Sequence, residues 1–361
     1  MLALLFAGGL VALIGGAELL VRGASRLAFS LGLSPLVVGL TVVAFGTSAP
    51  EVAVSVGAAW SGQTDIAIGN SVGSNIFNVL LILGVAALIT PLVVARQVIR
   101  QEVPIMVTAF FFFAVLAMDG RISRFDGFAL LLMLCLYLLF VVLQSRREAK
   151  ANGQDDAPPP AGGWASGTPF QLVLIAVGLV LLVLGSQWLV QAAVAMARMF
   201  GLSELIIGLT IISAGTSLPE VAASVMAAVR GQRDMAVGNV VGSNIFNVLG
   251  VLGVGALVAP DALPVARSVL NFDLPIMLAI GVACLPIFFT GNVVARWEGA
   301  LFLAYYAAYT SYLLLRAQEH GALDTFRFAM GAFVLPLTAL TLLVIAWREW
   351  QARRQGRRPV A

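Results

Sequence analysis

The sequence predicts an all-α polytopic membrane protein. It reads as an inverted repeat of 5+5 transmembrane helices, with broken helices at the midplane and one extra C-terminal helix. Three observations predict this fold class. The 361 residues are 60% hydrophobic and 11% charged, with a mean hydropathy of +0.98, whereas soluble domains are about 25% charged. The apolar residues gather into stretches long enough, or nearly so, to cross about 30 Å of hydrocarbon. The chain then repeats itself at a constant offset.

The apolar stretches fall at 3–21, 34–60, 65–90, 103–118, 125–144, 169–197, 204–229, 234–259, 273–290, 296–315 and 326–347. That makes eleven segments, of which 103–118 is the shortest. The first, in MLALLFAGGLVALIGGAELLVRG, has no basic region before it and reads as an uncleaved membrane helix. Residues 144–169, QSRREAKANGQDDAPPPAGGWASGTP, are polar and rich in Pro and Gly, and read as a flexible linker. The expected organisation is a first half at 1–143, the linker at 144–169, an inverted second half at 170–315, and an extra helix with a basic tail at 316–361.

The repeat sets 39–84 against 208–253 at an offset of 169, with 31 of 46 positions identical and no gap. Gly16/Gly185, Gly32/Gly201 and Pro91/Pro260 extend it, and EVPIM at 102–106 matches DLPIM at 273–277 after a two-residue slip. Five segments per half is odd, so the second half enters the membrane in the opposite sense. This is the pattern of secondary transporters that alternate access around a midplane site. An outside N-terminus leaves 15 of the 21 basic residues in cytoplasmic segments, against 6 outside. The positive-inside rule therefore predicts N-out and C-in in the cell (inner) membrane, with the linker cytoplasmic.

The sequence pI of about 9.2 does not indicate nucleic acid, because basic loop residues account for it. Cys135 and Cys284 lie in apolar segments without metal-ligand spacing and read as small core residues. His320, the single histidine, lies in a polar stretch and reads as a surface residue. No nucleophile and base stand together as an enzyme would need. No cofactor and no obligate protein partner are expected.

The chemistry is carried by Gly46-Thr47-Ser48-Ala49-Pro50-Glu51 and its twin Gly215-Thr216-Ser217-Leu218-Pro219-Glu220. A proline cannot donate to the carbonyl four residues back, here that of Gly46 or Gly215. Each helix should break at this point and free carbonyl oxygens, which is tolerated in a membrane only where the backbone is buried in protein or lines a cavity. Thr47, Ser48, Thr216 and Ser217 add hydroxyls, and Glu51 and Glu220 add carboxylates. These are hard oxygen ligands, suited to Na⁺, Ca²⁺ and Mg²⁺. Two facing carboxylates repel unless a cation or proton lies between them. The competing reading, a buried ion pair, lacks a lysine or arginine in either motif-bearing segment.

The second motif is GNSVGSNIFN at 69–78, with GNVVGSNIFN at 238–247. Gly69 and Gly73 read as helix packing. Ser74, Asn75 and Asn78 share one broad face, as do Ser243, Asn244 and Asn247. Asn75 and Asn244 either join the site or hold the broken helices by hydrogen bonds. Glu18 and Arg22, matched by Gln187 and Gln191, read as a local i,i+4 pair. Asp65 and Asp234 read as helix N-caps.

These paired motifs resemble the α-repeats of the cation/calcium exchanger superfamily, most nearly its prokaryotic sodium/calcium exchangers, over about residues 1–315. The resemblance implies ten helices around four midplane ion sites. It implies Glu51 and Glu220 as central ligands shared by calcium and sodium, with Thr47 and Thr216 contributing backbone carbonyls. It further implies Ser48, Ser217, Ser74 and Ser243 at flanking sodium sites, completed by the carbonyls of Ala44 and Ser213, and Asn78 and Asn247 at the middle site. Some prokaryotic relatives and the potassium-dependent branch have an aspartate at the position of Asn247. The eleventh segment lies outside the ten-helix core.

The expected function is therefore Na⁺/Ca²⁺ antiport, with Ca²⁺ and Na⁺ as transported substrates and lipid as surroundings. An H⁺/Ca²⁺ or other divalent antiporter on the same fold is the alternative, since buried carboxylates can also carry protons. The hydroxyls and freed carbonyls favour sodium, because protons need no such ligands. A cation channel does not need an inverted pair of broken helices.

Overall fold

The computed structural model describes residues 2–31, 33–151, 168–200, 207, 211 and 213–354. In chain order the first half comprises α1 (Leu2–Ser30), α2 (Pro35–Thr47), α3 (Ala49–Trp60), α4 (Thr64–Ile89), strand β1 (Leu92–Val93), α5 (Val98–Asp119), β2 (Arg121–Ile122) and α6 (Arg124–Ala151). The second comprises α7 (Thr168–Met199), a short helix Ser213–Gly215, α8 (Leu218–Val229), α9 (Arg233–Val258), β3 (Leu263–Pro264), α10 (Val269–Phe289), β4 (Val293–Val294) and α11 (Arg296–Ala317). Then comes α12 (Leu323–Ile345). Most of 144–169, the beginning of the segment expected at 204–229 and the end of the basic tail lie outside the described residues.

Among the described residues eight helices are long and apolar enough to cross a membrane, or nine with α2 and α3 taken as one bent span. Two differences from the sequence reading have physical causes. The segment expected at 103–118 becomes a 22-residue helix, α5. Its polar first turns are accommodated because Glu102 is buried and accepts from Tyr137 Oη at 3.0 Å and Gln97 Nε2 at 3.2 Å. Residues 144–151 continue α6 rather than begin a linker, as their Arg, Glu, Ala and Lys content favours.

The two short sheets establish that the halves run in opposite senses. β1 joins α4 to α5, and its repeat equivalent is β3, between α9 and α10. β1 instead pairs with β4, Leu92 opposite Val294, while β2 pairs with β3, Arg121 opposite Pro264. β1 and β2 lie at opposite ends of α5. Equivalent connections therefore lie at opposite ends of the bundle.

The equivalent helices α1 and α7 cross on glycines. A Cβ on Gly16 would stand 2.8 Å from the carbonyl oxygen of Gly178, and one on Gly185 would stand 2.6 Å from the amide nitrogen of Leu13. The pairs Gly9/Gly178 and Gly16/Gly185 each differ by the repeat offset, so the crossing lies on the pseudo-two-fold axis. Only glycine permits this backbone approach.

Glu18 pairs with Arg22, as expected from the sequence, and also with Arg230 at the end of α8, whose Nη2 lies 2.6 Å away. Asp65 and Asp234 do not cap: the cap positions are Gln63 and Gln232, and both aspartates lie in first turns, where they complement the helix dipole. Cys284 is buried but Cys135 is exposed on α6. Along α12 none of the membrane-length window is buried inside the protein. It leans on the bundle through Tyr305 Oη, which donates to Thr338 at 2.6 Å.

Candidate ion-binding site

Both expected helix breaks are present. α2 and α3 meet at Ser48 with a 46° bend, and Ser48 has left helical geometry at φ −79°, ψ 6°. In the twin, Ser213–Gly215 and α8 are separated at Thr216 and Ser217, with Ser217 at φ −89°, ψ 7°. Pro50 and Pro219 follow in the first turn of the resuming helix, where a missing N–H costs nothing further.

The breaks bring Glu51 and Glu220 into the protein centre, both fully buried or nearly so. Each carboxylate is held by the other half. The Ser217 hydroxyl donates to Glu51 Oε1 at 2.8 Å, and the Ser48 hydroxyl donates to Glu220 Oε1 at 3.0 Å. Ser217 also lies 3.3 Å from the Ser74 hydroxyl. Among the described residues neither glutamate enters an ion pair, which leaves the ion-pair reading without support.

Opposite the glutamates run α4 and α9. Their helical ladders widen into π-turns at Asn78–Ile82 and Asn247–Val251, again related by the repeat offset. Such turns shift one side chain out of helical phase and recur at functional sites. Asn78 Nδ2 donates to Asn244 Oδ1 at 3.1 Å. Among the described residues the Asn247 side chain has no partner, while its carbonyl accepts from the Ser71 hydroxyl.

Among the described residues, the buried oxygens of these elements without a hydrogen-bond partner are Glu51 Oε2, Glu220 Oε2, Asn75 Oδ1, Asn78 Oδ1, Asn247 Oδ1 and Ser243 Oγ. An unpaired buried polar atom costs about 1–3 kcal/mol. Two carboxylates with neutral amide and hydroxyl oxygens are a donor set that suits a hard cation.

The remaining expected residues are placed as follows. Ala44 is buried, and its carbonyl accepts from the Ser48 N–H at 3.1 Å and from the Thr47 hydroxyl at 3.4 Å. The Thr47 hydroxyl faces the Val43 carbonyl at 3.0 Å and Asn239 Oδ1 at 3.2 Å. Thr216 is half-buried and donates to Asn70 Oδ1 at 3.4 Å. Ser213 begins the short helix before the second break; its side chain lies outside the described residues.

Asn75 and Asn244 do not hold the breaks; they donate to the sulfurs of Met277 and Met106 at 3.6 and 3.5 Å. Asn70 and Asn239 do so instead. Their signal in the sequence was identity at equivalent positions of both copies, as for Ser55 and Ser224, to which they donate.

A cavity of about 420 Å³ runs between α3 and α7, lined by Pro50, Val54, Ser186, Gln187, Gly215 and Thr216. It reaches the second break. The twin position between α8 and α1 is closed, with Ala17, Val21 and Ala223 buried. The two halves are thus inverted in topology but unequal in access.

A family model described as "Sodium/calcium exchanger protein" matches residues 1–143 and 170–315. The chain belongs to the sodium/calcium exchanger family. Among sodium/calcium exchangers of known structure, it resembles NCX_Mj with a TM-score of 0.72 at 33% identity, covering 84% of this chain and 95% of that one. It is 42% identical over 282 residues to CaxA of Alkalimonas amylolytica, covering 77% of this chain and 86% of the relative. It is 40% identical over 281 residues to "Inner membrane protein YrbG" of Escherichia coli, covering 76% and 84%. The family consists of cation/calcium antiporters, and this member shares their multi-pass helical fold.

Proposed function

We propose that this exchanger-family chain is a secondary antiporter that moves Na⁺ one way and Ca²⁺ the other by alternating access. One observation carries the reading: two buried glutamates, each bonded at one oxygen by the opposite half's break serine, keep their second oxygen free. Two carboxylates match the charge of one Ca²⁺. Thr47 and Thr216 offer backbone carbonyls beside them, and Asn78 and Asn247 line the middle site. Ser48, Ser74, Ser217 and Ser243, with the carbonyls of Ala44 and Ser213, provide neutral oxygens for flanking sodium ions. A ligand set rich in hydroxyls and carbonyls serves a metal ion better than a proton.

The unequal access of the two breaks supports alternation, because exchanging the roles of two inverted halves closes one route and opens the other. Any net charge moved adds about 2.3 kcal/mol per elementary charge per 100 mV of potential.

The test is Ca²⁺ uptake into proteoliposomes under an imposed Na⁺ gradient, and then under an imposed pH gradient. Uptake driven by sodium is expected. Uptake driven by the pH gradient alone would assign the coupling ion to the proton.

We also propose eleven crossings in an inner membrane, a location the name of the YrbG relative supports. The halves at 1–143 and 170–315 are joined by a cytoplasmic linker, with the N-terminus outside and the C-terminus inside. Single cysteines placed at each terminus in a cysteine-free background are expected to react with impermeant maleimide from opposite sides of the membrane. Both termini reacting from the same side would rule out an odd number of crossings.

A further inference from the structure

Asn70 and Asn239 form a second duplicated pair, each bonded to both halves of the protein. Asn70 Nδ2 donates to the Glu51 carbonyl at 3.3 Å and to Ser55 Oγ at 2.9 Å, both on α3 of its own half. Its Oδ1 accepts from the Thr216 hydroxyl of the other half at 3.4 Å. Asn239 repeats the arrangement. Its Nδ2 donates to the Glu220 carbonyl at 3.5 Å and to Ser224 Oγ at 2.8 Å, and its Oδ1 faces the Thr47 hydroxyl at 3.2 Å.

Thr216 is followed in the chain by Ser217, which holds Glu51. Asn70, Thr216, Ser217 and Glu51 therefore close a ring, and Asn239, Thr47, Ser48 and Glu220 close its twin. Each ring ties the helix break of one half to the glutamate of the other.

We infer that Asn70 and Asn239 are positioning residues that set each glutamate against the opposite helix break, so that cation affinity depends on both halves together. A primary amide suits the task because it offers donors and an acceptor from one rigid group. Aspartate would lose the donors, and serine would lose the reach. Neither asparagine is itself a ligand in this account: all its polar atoms are engaged within the protein, whereas Glu51, Glu220, Asn75, Asn78, Asn247 and Ser243 each keep an oxygen without a partner among the described residues.

The inference rests on reading Glu51 and Glu220 as cation ligands, and the experiment separates the two. Ca²⁺ and Na⁺ binding to detergent-purified protein is measured by calorimetric titration, with KM and kcat for Ca²⁺ uptake measured in proteoliposomes. Asn70→Ala and Asn239→Ala are expected to raise the Ca²⁺ dissociation constant and KM by about tenfold, as loss of a bond that orients a charged group does. Thr216→Val keeps side-chain volume and removes the cross-half bond, and Thr47→Val removes its own cross-half bond together with the bonds of the same hydroxyl to the Val43 and Ala44 carbonyls. They keep the proposal testable if either alanine variant fails to fold. Each is expected to weaken binding in the same direction, less for Thr47, whose single proton is shared with the Val43 carbonyl.

The double variant Asn70→Ala/Thr216→Val is expected to bind no more weakly than Asn70→Ala, because both remove one interaction. A structural role alone would lower the folded fraction and kcat but leave the dissociation constant of the folded protein unchanged; that result, or additive effects in the double variant, overturns the inference. A wild type that binds neither cation overturns the ligand reading, and this inference with it.

Discussion

Glu51→Gln is expected to abolish calcium transport while the protein still inserts and folds, and Glu220→Gln to do the same. The amide has the size of the carboxylate and keeps an oxygen that can accept from Ser217 or Ser48, so the break is not left with an unpaired serine. What disappears is one of the two negative charges at the centre. A divalent cation held by a single carboxylate there leaves a net positive charge in a poorly polarisable interior, which is costly. Losing one partner of a buried charge interaction typically costs about 2–5 kcal/mol, so flux falls by at least about thirtyfold at limiting calcium. The measurement is radiolabelled calcium uptake, with thermal unfolding of the purified variants as control. Wild-type flux in either well-folded variant would remove that glutamate from the site.

The breaks were legible because they rest on local chemistry stated twice, whereas the serine of the opposite half that holds each glutamate was not. Proline after Gly-Thr-Ser forbids a continuous helix, and a duplicated motif under inverted topology must converge on an axis. The i,i+4 pair Glu18 and Arg22 was legible for the same local reason, whereas Arg230, 208 residues beyond Arg22 in the sequence, was not. Asn70 and Asn239 lie one turn before Ser74 and Ser243 on the same helix faces, yet their role was not legible. Their partners lie across α3 and in the other half, a relation that helical spacing does not contain. Hydropathy also under-read α5, since its polar first turn is neutralised by Tyr137 from another helix. The unequal access of the two breaks has no counterpart in the two nearly identical motifs; the cavity is also lined by α7, whose Ser186 and Gln187 stand where α1 has Ala17 and Glu18.

Calcium transport by the wild type is expected to proceed without K⁺, and Asn247→Asp is expected to make it depend strongly on monovalent ions or pH. Asn247 is fully buried, and its Oδ1 and Nδ2 have no hydrogen-bond partner. Its side chain therefore does not serve to bind the neighbouring helix; only its carbonyl does, through Ser71. The repeat equivalent Asn78 differs, being held by Asn244. Asn247 thus offers a free, neutral dipole beside Glu51 and Glu220. On the proposed reading, two carboxylates balance one Ca²⁺ and leave no charge for a monovalent ion beside it. Aspartate has the same shape and adds a third negative charge, which a buried site compensates by taking a proton or a further cation. The measurement is calcium flux with K⁺ absent and present, across a range of pH, for both proteins. The variant is expected to respond several-fold where the wild type does not, with little change in thermal unfolding because the substitution is isosteric. A strict K⁺ requirement in the wild type would show that two carboxylates do not set the charge of the loaded site.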